Sequence, residues 1–275
     1  MIFSRAVQAV KNGIVNGALG DVREIRIAGC WPRMDSYYNR ASWSGKMRLG
    51  ETPVFDGPAS NAMAHLIHNA MFFASPEAGK FDSPISVQGE LYRARPIPSY
   101  DVACLRGKFA SGSTFTAALT HATQTAFPYE LEVIGSAGRA HIYDNGTKLE
   151  SDVLPASDCS ESTEDLIYAT YQVFLQSATE GNHCGGTCLR DSRGYVLATN
   201  GMLISSGGIH PIGANFKQVY DQGDDRGYNV TGLAESVGTA LKTGQLFSEQ
   251  KLPWAVATEP VALDQHRFTD FVSYA

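Results

Sequence analysis

The chain has 275 residues, of which 43% are hydrophobic and 18% charged, and its formal net charge is −6. This composition is typical of a compact globular protein, and the scattered basic residues exclude the positive footprint of a nucleic-acid-binding protein. Neither long uncharged stretch, residues 57–76 or 194–216, is a continuous apolar span of about 20 residues, so we expect no transmembrane helix.

The cysteines and the first residues indicate the compartment. Five cysteines are an odd number in a chain of this size and do not suggest a disulfide framework, so reduced thiols are the simplest interpretation. The opening Met-Ile-Phe-Ser-Arg lacks the basic region and cleavage site of a signal peptide. We therefore expect a cytoplasmic protein.

The chain opens with a predicted helix. Its apolar residues recur with helical spacing: Phe3, Ala6, Val7, Val10 and Ile14. Gly17 and Gly20 end this helix, and Val22–Ile27 alternates as a strand does. A long loop, Trp31–Gly57, follows, and its aromatic content favours a functional role.

The segment Ser60–Ala74 reads as a helix with two different faces. One face is apolar and predicted to lie on the core: Met63, Leu66, Ile67, Ala70 and Phe73. Asn61, His65 and His68 share the other face, and Ser60 is the predicted N-cap. Imidazole suits proton transfer near neutral pH, so this face is a candidate catalytic surface. A polar face that only contacts solvent is the alternative.

Strands are predicted through the middle of the chain and helices return near its end. The strands are Ile85–Arg95, Val102–Phe109, Ser113–Ala122, Tyr129–Ile134, Arg139–Tyr143 and Lys148–Val153. Several turns between them are too short for a parallel crossover, so consecutive strands are predicted to be antiparallel.

Three late helices are expected. A capping box joins Ser162 and Asp165, Asp191–Ser205 forms the second helix, and Thr231 caps the third. The tail, Val256–Leu263 and Phe268–Tyr274, reads as edge strands. The sequence therefore predicts one α+β domain over residues 1–275, with a large, mostly antiparallel open sheet covered by helices on one face.

No dinucleotide-binding fingerprint is found, so no Rossmann domain is expected in this chain. Gly135-Ser-Ala-Gly138 has the spacing of a turn, for which phosphate binding is the less favoured interpretation.

Two patterns could ligate a metal. His183 and Cys184 precede Cys188, but structural zinc normally needs a second ligand pair, and a glycine-rich loop is the better interpretation. His65 and His68 could also share a metal, with Asp56 as the nearest carboxylate. A metal-dependent hydrolase is thus an alternative function for this helix.

The loop before the helix mixes cationic and aromatic side chains: Arg33, Tyr37, Tyr38, Arg40, Trp43 and Lys46. Rings stack on sugar faces, and cations bind hydroxyls and carboxylates, so this loop suits a polyhydroxylated or anionic ligand. His121, at the end of a predicted strand, points into the same cleft or sits in the sheet. A surface loop with one aromatic anchor is the alternative.

Five segments carry a resemblance. They are Gly17–Val22 after its helix, the loop with Trp43, the helix with Asn61, His65 and His68, Leu131–Gly138, and the segment from Leu246 to Trp254. In order and spacing they resemble the C-terminal domain of the glucose-fructose oxidoreductase/inositol dehydrogenase (Gfo/Idh/MocA) family. The resemblance covers nearly the whole chain, and only that domain of the family.

The resemblance implies an NAD(P)-dependent oxidoreductase acting on a sugar or cyclitol hydroxyl. The family's Asp-x-x-x-His pair maps onto Asn61 and His65. His65 is then the proton acceptor or donor, and Asn61 orients it or bonds a neighbouring hydroxyl. Asn61 cannot ionise, so it cannot raise the basicity of His65 as an aspartate would. The substrate-binding residues would be Arg40, Trp43, Lys46, His68 and His121.

The same resemblance implies that NAD or NADP is held mainly by a Rossmann domain that this chain lacks, with residues 1–20 as the helix that follows it. The chain is then a fragment or works with a separate Rossmann chain, and by itself is expected to be inactive. The open sheet face favours a homo-oligomer. A non-catalytic module that binds carbohydrate or assembles through its sheet, without a cofactor, is the alternative from another functional class.

Overall fold

The structure, a computed structural model, describes residues 2–181 and 187–263. Its helices are α1 (Arg5–Val15), α2 (Asp35–Asn39), α3 (Ala64–Ala74), α4 (Thr163–Glu180), α5 (Arg193–Ser206) and α6 (Leu233–Thr243). Its strands are β1 (Val22–Cys30), β2 (Arg48–Leu49), β3 (Thr52–Pro53), β4 (Pro84–Arg93), β5 (Val102–Phe109), β6 (Thr114–Thr120), β7 (Phe127–Gly135), β8 (Arg139–Tyr143), β9 (Lys148–Ser151), β10 (Ser157–Asp158), β11 (His210–Pro211), β12 (Lys217–Gln222), β13 (Asp225–Val230) and β14 (Val261–Ala262). A π-helical turn, Pro58–Ala62, leads into α3.

Ten of these strands form one large open sheet. Their order is β10-β9-β8-β7-β1-β6-β5-β4-β11, with β14 also paired to β4. In the centre, Ile27 of β1 lies opposite Ala117 of the parallel strand β6 and opposite Leu131 of the antiparallel strand β7. β11 is also parallel to β4, and the remaining pairs of this sheet are antiparallel.

The α+β class is confirmed, but the prediction of a mostly antiparallel sheet needs correction because the sheet is mixed. Short turns dictate antiparallel pairing only between strands that follow each other in sequence. Between β1 and β6 the chain forms α3 and the sheet strands β4 and β5, and this long connection allows a parallel pair at the centre of the sheet.

Helices cover both faces of the sheet, so the prediction of one covered face was wrong. On the first face α1, α3 and α5 bury residues such as Ile25, Ile27 and Leu119. Alternate residues of the same strands, such as Ala28 and Ala118, face the second side, where α6 packs on them. The apolar run in β1 from Ile27 to Cys30 is typical of a strand buried on both faces.

α3 is held through its buried face and at its carboxyl end, which fixes the face that carries the histidines. Its predicted core residues, Met63, Leu66, Ile67, Ala70 and Phe73, are all buried. At its carboxyl end, the buried Lys11 of α1 donates from Nζ to the carbonyls of Phe72 and Ser75, 2.6 Å each. Burial lowers the pKa of Lys11 to about 8. The lysine thus caps a helix end whose carbonyls have no intrahelical partner.

α4 stands out from the core. The predicted capping box of Ser162 and Asp165 is confirmed, yet no α4 side chain is buried. Tyr168, Tyr171 and Phe174 are exposed by 65%, 63% and 66%. Nothing in the described part of the chain, α4 included, forms a helix apolar and long enough to span a membrane.

Other predicted boundaries moved. The helix predicted at Asp191 begins at Arg193, and α6 begins after Gly232 rather than being capped by Thr231, because Gly232 adopts a left-handed φ of 75° as the N-cap. Of the predicted tail strand from residue 256 to 263, only β14 pairs with the sheet. The predicted strand Phe268–Tyr274 lies outside the described residues. The hairpin of β12 and β13 was not predicted.

Candidate active site

The turn before α3 is π-helical and not the first turn of an α-helix, so the prediction of Ser60 as an N-cap was wrong. Pro58 begins the turn, and the N–H of Met63 donates to the carbonyl of Pro58, five residues back, at 2.9 Å. The hydroxyl of Ser60 instead bonds the carbonyl of Phe55 and lies 2.8 Å from the hydroxyl of Tyr100. π-turns are rare and often mark functional sites.

The side chain of Asn61 is hydrogen-bonded to Asp56. Its Nδ2 donates to Oδ1 of Asp56 at 2.7 Å, and Oδ2 of the same carboxylate accepts the N–H of Gly45 at 2.7 Å. Asp56 is 3% exposed. The pair therefore joins the turn before α3 to the loop that carries Trp43 and Lys46. Among the described hydrogen bonds, none joins Asn61 to His65.

His65 lies at a cleft of ≈ 690 Å³, the His65 cleft, between α3, α4, α5 and the residues before α1. Its side chain is exposed, and the partial burial that the cleft imposes lowers the pKa of the imidazole. A lowered pKa leaves the ring neutral at neutral pH and able to accept a proton. His68 and Asn69, one turn further along α3, line the same cleft.

His68 is held by rings from two other segments. It stacks on Phe81, with 4.6 Å between ring centroids, and meets Tyr195 of α5 edge-on at 6.4 Å. Burial is the main cause that lowers the pKa of His68. The Tyr195 hydroxyl also donates to the carbonyl of Ser60 at 3.1 Å, which ties α5 to the turn.

The cationic and aromatic residues of the loop form a separate group, the Tyr37 cluster: Arg33, Tyr37, Arg40, Trp43 and His121. The Arg40 guanidinium lies 3.5 Å from the Tyr37 ring centroid and 4.9 Å from that of Trp43. The cluster also includes His121, whose ring centroid lies 5.7 Å from that of Tyr37.

His121 belongs to the interior of this cluster. It is 3% exposed, and its Nδ1 lies 2.8 Å from the carbonyl oxygen of Trp31. Burial lowers the pKa of His121 to about 3, and nearby arginines act in the same direction. The ring therefore stays neutral across the physiological range and packs against Tyr37.

The structure thus divides the predicted site residues. His65 and His68 share the cleft, whereas Arg40, Trp43 and His121 form the Tyr37 cluster, and none of these three lines the cleft. Lys46 accepts the N–H of Asp56 on its carbonyl at 3.0 Å, in the loop next to that cluster. Asn61 stands at the junction, bonded to Asp56.

Sequence reasoning missed Asn69, Tyr195 and Phe174. Asn69 carried a signal, because it lies four positions after His65 and therefore on the same side of the predicted helix. Tyr195 and Phe174 enter the cleft from helices distant in sequence, which no local pattern reveals.

Metal ligation was the alternative for the two histidines. Among residues 2–181 and 187–263, no group of three His, Cys, Asp or Glu side chains is placed to hold a metal ion. His183 and Cys184 lie outside the described residues, and Cys188 is half-buried beside the cleft.

Residues 7–141 match the family model of the GFO/IDH/MocA C-terminal domain. A comparison with curated proteins gave no match.

Solved structures share the fold. An oxidoreductase from Agrobacterium radiobacter in complex with NAD+, L-tartaric acid and magnesium matches at a TM-score of 0.58 and 17% identity, over 75% of this chain and 60% of that one. The WlbA dehydrogenase from Bordetella pertussis, in complex with NADH and UDP-GlcNAcA, matches at 0.53 and 18%, over 71% and 56%. Aldose-aldose oxidoreductase from Caulobacter crescentus, complexed with glycerol, matches at 0.51 and 13%, over 66% and 53%.

These matches establish the fold. The chain spans between 53% and 60% of the length of these three proteins.

Proposed function

Because the chain belongs, through residues 7–141, to the Gfo/Idh/MocA family, we propose that it is the catalytic and substrate-binding part of an NAD(P)-dependent oxidoreductase. The substrate is a sugar or cyclitol, and the reacting group is one of its hydroxyls. In this reaction the carbon loses a hydride, which the nicotinamide accepts when bound, and the hydroxyl loses a proton.

The observation that carries this proposal is the position of His65. Its imidazole is exposed to a cleft large enough for a small ligand, on a helix anchored through its buried face and at its carboxyl end. The lowered pKa keeps a free nitrogen lone pair available at neutral pH, so His65 takes the proton of the substrate hydroxyl. In the reverse reaction the protonated ring returns it.

Asn61 acts as a positioning residue in this proposal. Its amide fixes the π-turn to Asp56, and the turn sets the start of α3 and therefore the place of His65. Arg40, Trp43 and Lys46 lie on the loop that Asp56 joins to this turn. They lie outside the His65 cleft, which His68 lines, so the proposal gives these three residues no contact with the reacting hydroxyl.

The cofactor's phosphates do not fit the glycine turn Gly135–Gly138, for which the sequence left phosphate binding as the less favoured interpretation. Around Gly135–Gly138, the N–H groups of Ser136 and Ala137 already donate to the carbonyls of Asp21 and Leu19. A Cβ on Gly135 would lie 1.9 Å from the Leu19 carbonyl oxygen, so the chain itself fills the space against that glycine. We therefore assign to this chain the proton transfer, and to residues outside it most of the binding of NAD or NADP.

Titration of this chain with NAD+, NADH, NADP+ and NADPH tests that division. We expect binding no tighter than the millimolar range, because the N–H groups of Gly135, Ser136 and Ala137 in the described glycine turn are already bonded to the chain. Joined to a dinucleotide-binding domain of the same family, the chain is expected to oxidise members of a sugar and cyclitol panel, followed by NAD(P)H absorbance. Micromolar binding by the chain alone would contradict the division of labour. Sugar binding without any turnover in the joined protein would favour the non-catalytic module.

The homo-oligomer belongs to the same proposal. α6 covers β1 and β6, but further along this face β7 and β8 present Glu130 and His141, which are bonded to each other at 2.7 Å and partly exposed. We place the contact between copies on this open part. Sedimentation should show a dimer or larger assembly, and a monomer at every concentration would contradict it.

A further inference from the structure

The floor of the His65 cleft holds polar atoms that have no partner within the described residues. They are Nε2 of His68 and both amide atoms of Asn69, all fully buried. Asn69 is 0% exposed and lines the cleft on α3. Burying polar atoms without partners costs stability, so such groups in a folded protein call for an explanation. At the bottom of a cleft, a bound ligand is the direct explanation.

The chemistry of these atoms defines the ligand group. His68 is hydrogen-bonded to the backbone of Asp191, and because Nε2 has no partner this bond uses Nδ1. With the proton on Nδ1, the neutral ring accepts at Nε2. Asn69 offers a donor at Nδ2 and an acceptor at Oδ1. Two neighbouring hydroxyls satisfy all three atoms, since each donates and accepts. An ionised carboxylate does not, because it has no proton to donate.

The walls of the cleft have a different character. α4 contributes Val173 and Phe174, α5 contributes Val196, and Phe3 lies before α1. Phe174 is 66% exposed, although aromatic side chains gain most when they are covered. A bare polyol on the floor would leave these apolar side chains in contact with water.

We propose that the His65 cleft binds a vicinal diol that carries an apolar substituent. The diol lies on His68 and Asn69, and the substituent packs against the cleft-lining side chains of α4 and α5, chiefly Phe174 and Val196. This inference rests on the proposed function for the reacting hydroxyl at His65, and it narrows the substrate from sugars in general to glycosides with an apolar aglycone.

Calorimetric titration of the chain with pairs of methyl and phenyl glycosides tests the inference, using glucosides, galactosides and mannosides. Within a pair the hydroxyls are identical and only the apolar group differs. For at least one pair we expect the phenyl member to bind about tenfold tighter or more, as burial of an aromatic ring allows. Phe174→Ala should remove most of that difference. Tyr168→Ala, an equally exposed aromatic on the same helix outside the cleft, should leave it unchanged.

Asn69→Leu tests the floor with a side chain of similar size. It should raise the melting temperature, because unpaired buried atoms are removed. It should also lower the affinity for both the methyl and the phenyl glycoside about tenfold. A merely structural Asn69 would leave affinity unchanged, which would overturn the inference. The inference would also be overturned if the methyl and phenyl glycosides of every pair bound with equal affinity, or if no glycoside bound.

The two proposals fail separately. A phenyl preference without turnover in the joined protein would remove the oxidoreductase function and leave the binding inference standing. Turnover with equal KM for methyl and phenyl substrates would remove the binding inference and leave the oxidoreductase function standing.

Discussion

Replacing His65 by alanine is expected to lower kcat about 10²- to 10⁴-fold once the chain is joined to its dinucleotide-binding domain, the usual contribution of a positioned general base. The substrate hydroxyl would then lose its proton to water alone. KM should change little, because His68 and Asn69 remain on the cleft floor. Steady-state kinetics with a sugar from the panel measures both constants.

Two further variants make this result specific. His65→Gln keeps a hydrogen-bonding group but has no base that takes up a proton near neutral pH, so it should be nearly as slow as the alanine variant. His210→Gln removes a histidine of β11 that bonds the carbonyl of Ser206 and does not line the cleft, and it should keep kcat within twofold. Full turnover in His65→Ala would remove this residue from the chemistry.

Gly57→Ala is expected to destabilise the protein by about 2–3 kcal/mol, a typical cost of overpacking a filled site. A Cβ there would lie 2.3 Å from Cζ of Tyr100. That ring is fully buried and its hydroxyl holds Ser60, so it has no space into which to move. Because the turn that follows carries Asn61, substrate binding should weaken as well. Denaturant unfolding measures the free energy.

The matched control is Gly238→Ala on α6. No atom lies within 4 Å of a Cβ at that position, and alanine favours a helix, so stability should stay equal or rise by about 0.5–1 kcal/mol. If both substitutions proved equally mild, the close packing of Tyr100 on the turn would be refuted.

The sheet shows what the sequence could predict and what it could not. Alternation along strands such as β5 and β7 revealed nearly all the long strands, because one or both faces are buried. The prediction paired only strands that follow each other in the sequence, so the parallel pairing of β1 with β6 was missed. The packing of α6 on the second face was missed too, because the amphipathic pattern of a helix does not show which face of a sheet it will cover.

The candidate site divides in the same way. His65 and His68 were brought to one cleft as their spacing on a helix predicts. Ser60 was misassigned, because a π-turn and an α-helical first turn look alike in sequence, and only the packing of Tyr100 selects between them. The loop cations and His121 were expected beside the histidines. They instead assemble around Tyr37, through contacts between β6 and a loop distant in sequence.

The pH dependence of kcat/KM in the joined protein tests most directly that His65 is the base. A base must be unprotonated, so the rate of alcohol oxidation should fall as pH drops through the pKa of His65. Because burial lowers that pKa, this acid limb should lie below the ordinary histidine value of about 6.5. In His65→Gln the limb should disappear along with most of the rate. An acid limb that persists unchanged in His65→Gln would contradict the account.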